Sequence, residues 1–312
     1  MKFFIFFILA LPIYLYAQPT PQTIELAKTI PIADVHMHTY SRGGPSSAAF
    51  LEQMDKNNVR WGGAVGDFRT DVADKLKERY IPAIGQIEFF EVYFSRGASG
   101  LTDEDNWTFK RLYKNAEEQF ANGTIKGFGE LHTDNHSSGP QNIRRTIRAD
   151  NPAMRKMYSI ANNYNGFVQL HSQHDESFTT DVLKLSADFP NTITVLSHCL
   201  PSSKPSDLAN LFSQRKNIVC EMSATGAVHN QILGLNRPAR AFDDNGLRPA
   251  WKRLIEKYPD QVMVGTDACC GWFASYSDMI AEIRSNLLPY LSPELMEKIA
   301  YKNAVRIFKL NE

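Results

Sequence analysis

Eight short apolar runs, each followed by a segment long enough to coil into a helix, constrain this chain's fold more than any other feature of its sequence. They fall at residues 32–38, 59–66, 81–85, 125–131, 166–171, 192–198, 217–222 and 262–267, and several are almost continuously apolar. That is the character of parallel strands covered by helices on one side and packed against other strands' side chains on the other. Helical segments are expected at 47–57, 70–79, 106–122, 153–164, 178–188, 205–214, 249–257 and 276–287, with a terminal helix near 293–308. Eight βα units either lie open as a doubly wound sheet or close into a barrel. No glycine-rich dinucleotide fingerprint follows any run, so the α/β fold expected is a closed (β/α)8 TIM barrel. Residues 89–106 and 132–151 read as long loops following the third and fourth strands, on the face where barrel enzymes place their specificity loops.

The N-terminus carries a separate message. Lys2 is followed by an uncharged apolar run over residues 3–16, then Ala17 and a polar stretch over 18–22. This reads as a signal peptide over residues 1–17 and a single mature domain over 18–312, exported to the periplasm or beyond. The apolar run is short for a membrane span and no basic cluster follows it, so no stable membrane insertion is expected after cleavage; the competing reading is an uncleaved anchor. The mature length suits one barrel of about 250 residues with insertions. With 34 basic and 34 acidic residues the chain has no net field to draw in nucleic acid or anionic lipid, which leaves a small molecule as the expected partner. Cys199, Cys220, Cys269 and Cys270 lack zinc-binding spacing and are expected to be free buried thiols.

Chemistry concentrates at the ends of the apolar runs. In Asp34-Val35-His36-Met37-His38 two histidines lie two residues apart, which puts both on one side of an extended strand, able to offer two imidazole nitrogens to one metal ion. His171 ends the fifth run, His198 the sixth and Asp267 the eighth. The chain has 8 histidines, and four of them sit at strand ends, where barrel active sites are assembled. Glu130 ends the fourth run and either bridges two ions or pairs with a nearby cation; His132, two beyond it, competes for the inward position, and His174 competes with His171. Arg42, Arg69, Trp272 and Phe273 lie on the same loops and are candidate substrate contacts, although solvation and packing are the commoner roles for such residues.

The set Asp34/His36/His38, His171, His198 and Asp267 resembles the amidohydrolase superfamily of metal-dependent hydrolases, as does the ending from Ile299 to Phe308 with its Asn303-Ala304 pair. The resemblance implies that His36, His38 and Asp267 hold a divalent metal, that His171 and His198 bind a second ion or polarise the substrate, and that Asp267 moves the proton. Where well-known binuclear members carry a carboxylated lysine this chain has Glu130, which leaves the count at one or two ions. Zinc is favoured by imidazole and carboxylate donors, with manganese, iron and cobalt fitting the same set. The expected reaction is hydrolysis of an ester, lactone, amide or phosphoester bond by metal-activated water. The rivals are a decarboxylase or hydratase of the same superfamily and a non-catalytic exported binding protein.

Overall fold

The computed structural model describes residues 18–40, 44–136, 141, 144–269 and 272–312. Residues 1–17, expected to be a signal peptide, together with Arg42, Cys270 and the Trp272 side chain, lie outside the described residues.

All eight expected runs contribute strands, shorter than the runs themselves. They are β1 (Ile32–Asp34), β2 (Val59–Gly63), β3 (Tyr80–Ile81), β4 (Ala83–Gly85), β5 (Gly127–His132), β6 (Phe167–His171), β7 (Ile193–Leu196) and β8 (Ile218–Glu221). A two-stranded antiparallel hairpin, β9 (Phe242–Asp243) with β10 (Gly246–Leu247), precedes the last strand, β11 (Val262–Met263). The third run splits into β3 and β4 around Pro82, which has no N–H to donate to a ladder. One parallel sheet runs β1-β2-β3 and the other β4-β5-β6-β7-β8-β11. The circle closes through Val35 N–H to Val264 O (3.4 Å) and Asp267 N–H to His36 O (2.9 Å).

Helices follow the strands as expected at Ser47–Lys56, Thr70–Leu76, Trp107–Ala121, Pro152–Asn163, Glu176–Asp188, Pro205–Gln214, Pro249–Lys257 and Tyr276–Glu282. Residues 89–106 depart from expectation. Most of them belong to a helix, Gln86–Gly100, which buries Phe89 and Val92 and is interrupted at Gly97, whose φ is 69°. The helix Pro21–Thr29 was also unforeseen; Thr20 caps it through a reciprocal pair of hydrogen bonds with Thr23.

Two apolar clusters hold the molecule together. The larger joins the helices to the outside of the barrel. In the smaller, Ala33, Trp61, Phe167, Val195 and Met263 meet Ile307 and Phe308 of the C-terminal helix Asn303–Phe308. Asn303 donates to Pro259 O and Val262 O (2.8 Å each), and Lys126, just ahead of β5, reaches Lys309 O (3.1 Å). The terminal helix therefore closes the floor of the barrel, opposite the strand ends that carry the polar cluster.

The cysteines correct the sequence expectation. Cys199 and Cys220 form a disulfide, and Cys269 is disulfide-bonded as well. Cys199 follows β7 and Cys220 lies in β8, so neighbouring parallel strands bring together two residues that are 21 apart in sequence.

Candidate metal centre

Of the six expected site residues, only Glu130 and His171 lie within strands; His36 and His198 stand two residues beyond the ends of theirs, and His38 and Asp267 four. Side chains replace the ladder at these points. Asp34 accepts the N–H groups of His36 (3.2 Å) and Thr266 (2.9 Å) and the Thr266 hydroxyl (2.7 Å), tying the first and last strands together where regular pairing stops. His198 and Asp267 have φ values of 56° and 57°, left-handed conformations that non-glycine residues hold only when their surroundings enforce them. Around His198 the enforcing groups are the Cys199–Cys220 disulfide and Arg240, which donates to the carbonyls of His198 (2.9 Å), Leu200 (2.8 Å) and Ser203 (3.2 Å).

Glycines let the backbones approach. At Gly66, with φ of 83°, a Cβ would lie 1.3 Å from Gly129 O, so only glycine allows the end of β2 to cross β5 beside Glu130. At Gly265 a Cβ would stand 2.6 Å from the Glu221 carboxylate and 2.8 Å from His36 Cβ.

All six side chains converge. The Asp267 Oδ1 atom lies 3.5 Å from His36 Nε2 and 3.4 Å from His38 Nε2, while Glu130 Oε2 lies 3.5 and 3.8 Å from the same two nitrogens. The other Glu130 oxygen faces His171 Nδ1 (2.8 Å) and His198 Nε2 (3.3 Å), and those two nitrogens are 3.1 Å apart. His36 Nε2 is buried with no hydrogen-bond partner. Distances of 3.4–3.8 Å are long for hydrogen bonds but match two donors on one tetrahedral ion, which stand about 3.4 Å apart when each is about 2.1 Å from the metal. Three donor groups bring one ligand atom from each residue within 4.8 Å of one another: His36/His38/Glu130, His36/His198/Asp267 and Glu130/His171/His198. A fourth, His38/Asp267/Cys269, loses its sulfur because Cys269 is in a disulfide.

A second layer of residues orients the imidazoles. Glu221 Oε1 sits 2.8 Å from His36 Nδ1, Ser223 Oγ 2.7 Å from His198 Nδ1, and Asp67 Oδ2 3.5 Å from His38 Nδ1. The two short contacts engage Nδ1 of His36 and His198 and leave Nε2 turned inward, while Asp67 acts on His38 at the longer distance of an ion pair. Sequence reasoning missed Glu221, Ser223 and Asp67. The available signal was Glu221 itself, a carboxylate inside an otherwise apolar and wholly buried strand. His174 is excluded from the centre; it lies 3.7 Å from Asp207. His132 does not replace Glu130 but joins it, with Nε2 3.4 Å from Glu130 Oε2 and its ring stacked on His171 at 4.3 Å.

The electrostatics are those of a site demanding positive charge. Burial opposes charge on His36, but Glu221 and Glu130 outweigh it and hold its pKa well above the usual value. His38 is likewise raised to about 9, burial being overcome by Asp267 and Asp67. Burial pushes Glu130 and Asp267 upward, yet the surrounding imidazoles hold both below the ordinary carboxylate range. His132 moves the other way, to about 3, under burial and repulsion from His171. Imidazoles are the countercharges within 4.0 Å of Glu130, Glu221, Asp267 and Asp67, with Arg145 acting on Glu130 electrostatically from farther away. A divalent cation fits that imbalance.

The remaining candidates serve the scaffold. Arg69 is occupied by Thr39 O (2.8 Å), Pro45 O (2.7 Å) and Asp71 (2.6 Å), and Phe273 packs edge-on against Phe50 at 4.8 Å.

A family model described as amidohydrolase matches residues 47–310, a span that begins after the His36/His38 pair. Among solved structures the chain is similar to a probable 2-pyrone-4,6-dicarboxylic acid hydrolase from Acinetobacter baumannii with citric acid bound, at 13% identity and a TM-score of 0.51, covering 90% of this chain and 97% of that one. An uncharacterized TIM-barrel protein from Bordetella bronchiseptica is similar at 14% identity and a TM-score of 0.52, covering 90% and 98%. A dihydroxybenzoic acid decarboxylase from a Polaromonas species, with bound manganese and the inhibitor 2-nitroresorcinol, follows at 12% and 0.50, covering 87% and 88%. At such identities the likeness is one of fold, the (β/α)8 barrel. No curated protein matches the chain by sequence.

Proposed function

The chain belongs to the amidohydrolase family, and from that premise we propose that it is a metal-dependent hydrolase of a small molecule, cleaving an ester, lactone, amide or phosphoester bond. The observation that carries this reading is the set of inward-facing donors, His36 Nε2, His38 Nε2, Asp267 Oδ1 and Glu130 Oε2, separated by 3.4–3.8 Å with His36 Nε2 unpartnered.

In this reading His36, His38 and Asp267 would hold one divalent ion, zinc by donor type, and Glu130, whose second oxygen faces His171 and His198, would with them hold a second. When bound, such an ion supplies Lewis acidity that makes water a competent nucleophile near neutral pH and polarises the bond under attack. The chain's own groups do the rest. Asp267, kept ionised by its imidazole neighbours, is the acceptor for the proton that water gives up and the donor that returns it to the leaving group. His198, its Nδ1 engaged by Ser223, keeps its Nε2 edge inward, to serve either a second ion or the reacting oxygen. Glu221 fixes His36, and Asp67 fixes His38, so that little reorganisation accompanies the reaction.

The proposal extends to export. It is supported by the leader-like segment 1–17 and by the Cys199–Cys220 disulfide, a bond that persists mainly in oxidising compartments. Among the described residues no helix is long and apolar enough to cross a membrane.

Elemental mass spectrometry on chelator-free protein tests the centre, and about one or two transition-metal ions per chain, lost in the His36→Ala/His38→Ala variant, are expected. Metal-free folded wild type would refute it in favour of a binding protein. Product analysis separates hydrolysis, which incorporates solvent ¹⁸O into the product, from decarboxylation, which releases carbon dioxide.

A further inference from the structure

We propose that Tyr40 contacts the substrate, its phenol O–H donating a hydrogen bond to a substrate carbonyl or phosphoryl oxygen beside His36, His38 and Asp267. The inference rests on the metal-centre reading and adds to it a neutral donor that the family match, which begins at residue 47, does not reach.

Three observations converge. The Tyr40 ring stacks on the His38 imidazole, with centroids 5.6 Å apart and planes at 24°, so the phenol lies against the centre rather than out on the surface. Its Oη is buried and, among the described residues, has no hydrogen-bond partner. Leaving a buried hydroxyl unsatisfied is costly, and native structures retain such a group mainly where a ligand completes it. Finally, Tyr40 has φ of 52°, a left-handed conformation that a bulky residue avoids unless it is held there.

Asp67 does the holding. Its Oδ2 accepts the N–H groups of both Thr39 (2.7 Å) and Tyr40 (2.8 Å), and Thr39 Oγ1 donates to Asp67 O (2.7 Å). Arg69 secures the same turn through Thr39 O (2.8 Å). The turn is thus fastened on its backbone, while the one polar atom of the Tyr40 side chain is left without a partner among the described residues. Among the carboxylates of this centre, an oxygen gaining negative charge is stabilised by a hydrogen-bond donor, and the phenol supplies one. Preorganised donors aimed at such oxygens are among the largest contributors to acyl and phosphoryl transfer.

Tyr40→Phe removes the O–H and keeps the ring and its stack. The experiment titrates full-length wild type and Tyr40→Phe with zinc, then titrates each zinc-loaded protein calorimetrically with inorganic phosphate as the oxyanion probe. The expected result is zinc stoichiometry and affinity unchanged within about twofold, with phosphate bound about tenfold more weakly by the variant. Equal phosphate affinities overturn the proposal, as does zinc-loaded wild type that binds no phosphate. A wild type that takes up no zinc overturns the metal centre itself, and the inference with it.

Discussion

Replacing Glu221 with glutamine should loosen both the fold and the grip on metal. The Glu221 carboxylate is wholly buried and receives three donors: His36 Nδ1 (2.8 Å) and His198 N–H (2.6 Å) on one oxygen, and Ser223 N–H (2.8 Å) on the other. Glutamine offers one acceptor oxygen, and its NH2 group must face a donor whichever way the amide is turned. If the oxygen stays with His36 and His198, Ser223 N–H loses its acceptor; if it flips, His36 and His198 lose theirs. Hydrogen bonds to a charged group contribute about 1.5–3 kcal/mol, and a buried donor left unpaired costs about 1–3 kcal/mol, so Glu221→Gln is expected to lose about 2–4 kcal/mol of stability. His36 also loses the partner that keeps its Nε2 turned inward, and disturbing such an outer partner typically lowers metal affinity about 10- to 100-fold. Urea unfolding of metal-free protein measures the first effect, and competition for zinc against a chromogenic chelator the second. A variant that is destabilised yet binds zinc within about twofold of wild type would show that Glu221 holds the fold without orienting the ligand. A variant unchanged in both would refute the reasoning altogether.

Removing the disulfide with Cys199→Ser/Cys220→Ser should cost about 3 kcal/mol for a loop of this length, and a reducing agent should lower the wild-type thermal midpoint more than that of the double variant; equal responses would argue against the bond. Asp175 caps the helix Glu176–Asp188, accepting Phe178 N–H (2.7 Å) and the Ser177 hydroxyl (2.8 Å). Burial pushes its carboxyl up, but these donors prevail and hold it below its ordinary 3.8, so its contribution is complete above that pH and is lost as pH falls through the lower folded value. Asp175→Ala should cost about 1 kcal/mol at neutral pH and Asp175→Asn only a few tenths, with a shallower acid unfolding limb for both; a limb as steep as wild type in Asp175→Asn would contradict the assignment.

The centre was legible in the sequence to the extent that its residues end apolar runs. His36, His38, Glu130, His171, His198 and Asp267 could be found because strand ends of a closed barrel converge whatever their spacing in the chain. Glu221 and Asp67 could not be paired with their histidines, since the contacts that define them span separations such as the 185 residues between His36 and Glu221. The choice of His171 over His174 likewise needed the direction of the chain after β6, which carries His174 toward Asp207. The cysteines were misread because two buried thiols and a disulfide look alike until β7 and β8 are known to be neighbours. The helix Gln86–Gly100 was hidden by Gly97 and Gly100, which usually signal loops, and by the lack of a capping side chain at Gly85.

Barrel closure also fixes when the centre can exist. Its donors run from residue 36 to residue 267, and Asp267 N–H reaches His36 O (2.9 Å) only once the last strand has docked on the first. A growing chain therefore displays the His36/His38 pair long before the other donors, with a far weaker hold on a cation than the complete set. Choice among ions belongs to the finished cylinder. An ion bound there would favour only the closed form and so work as a latch thrown last, on a topology whose long-range pairings are slow to assemble.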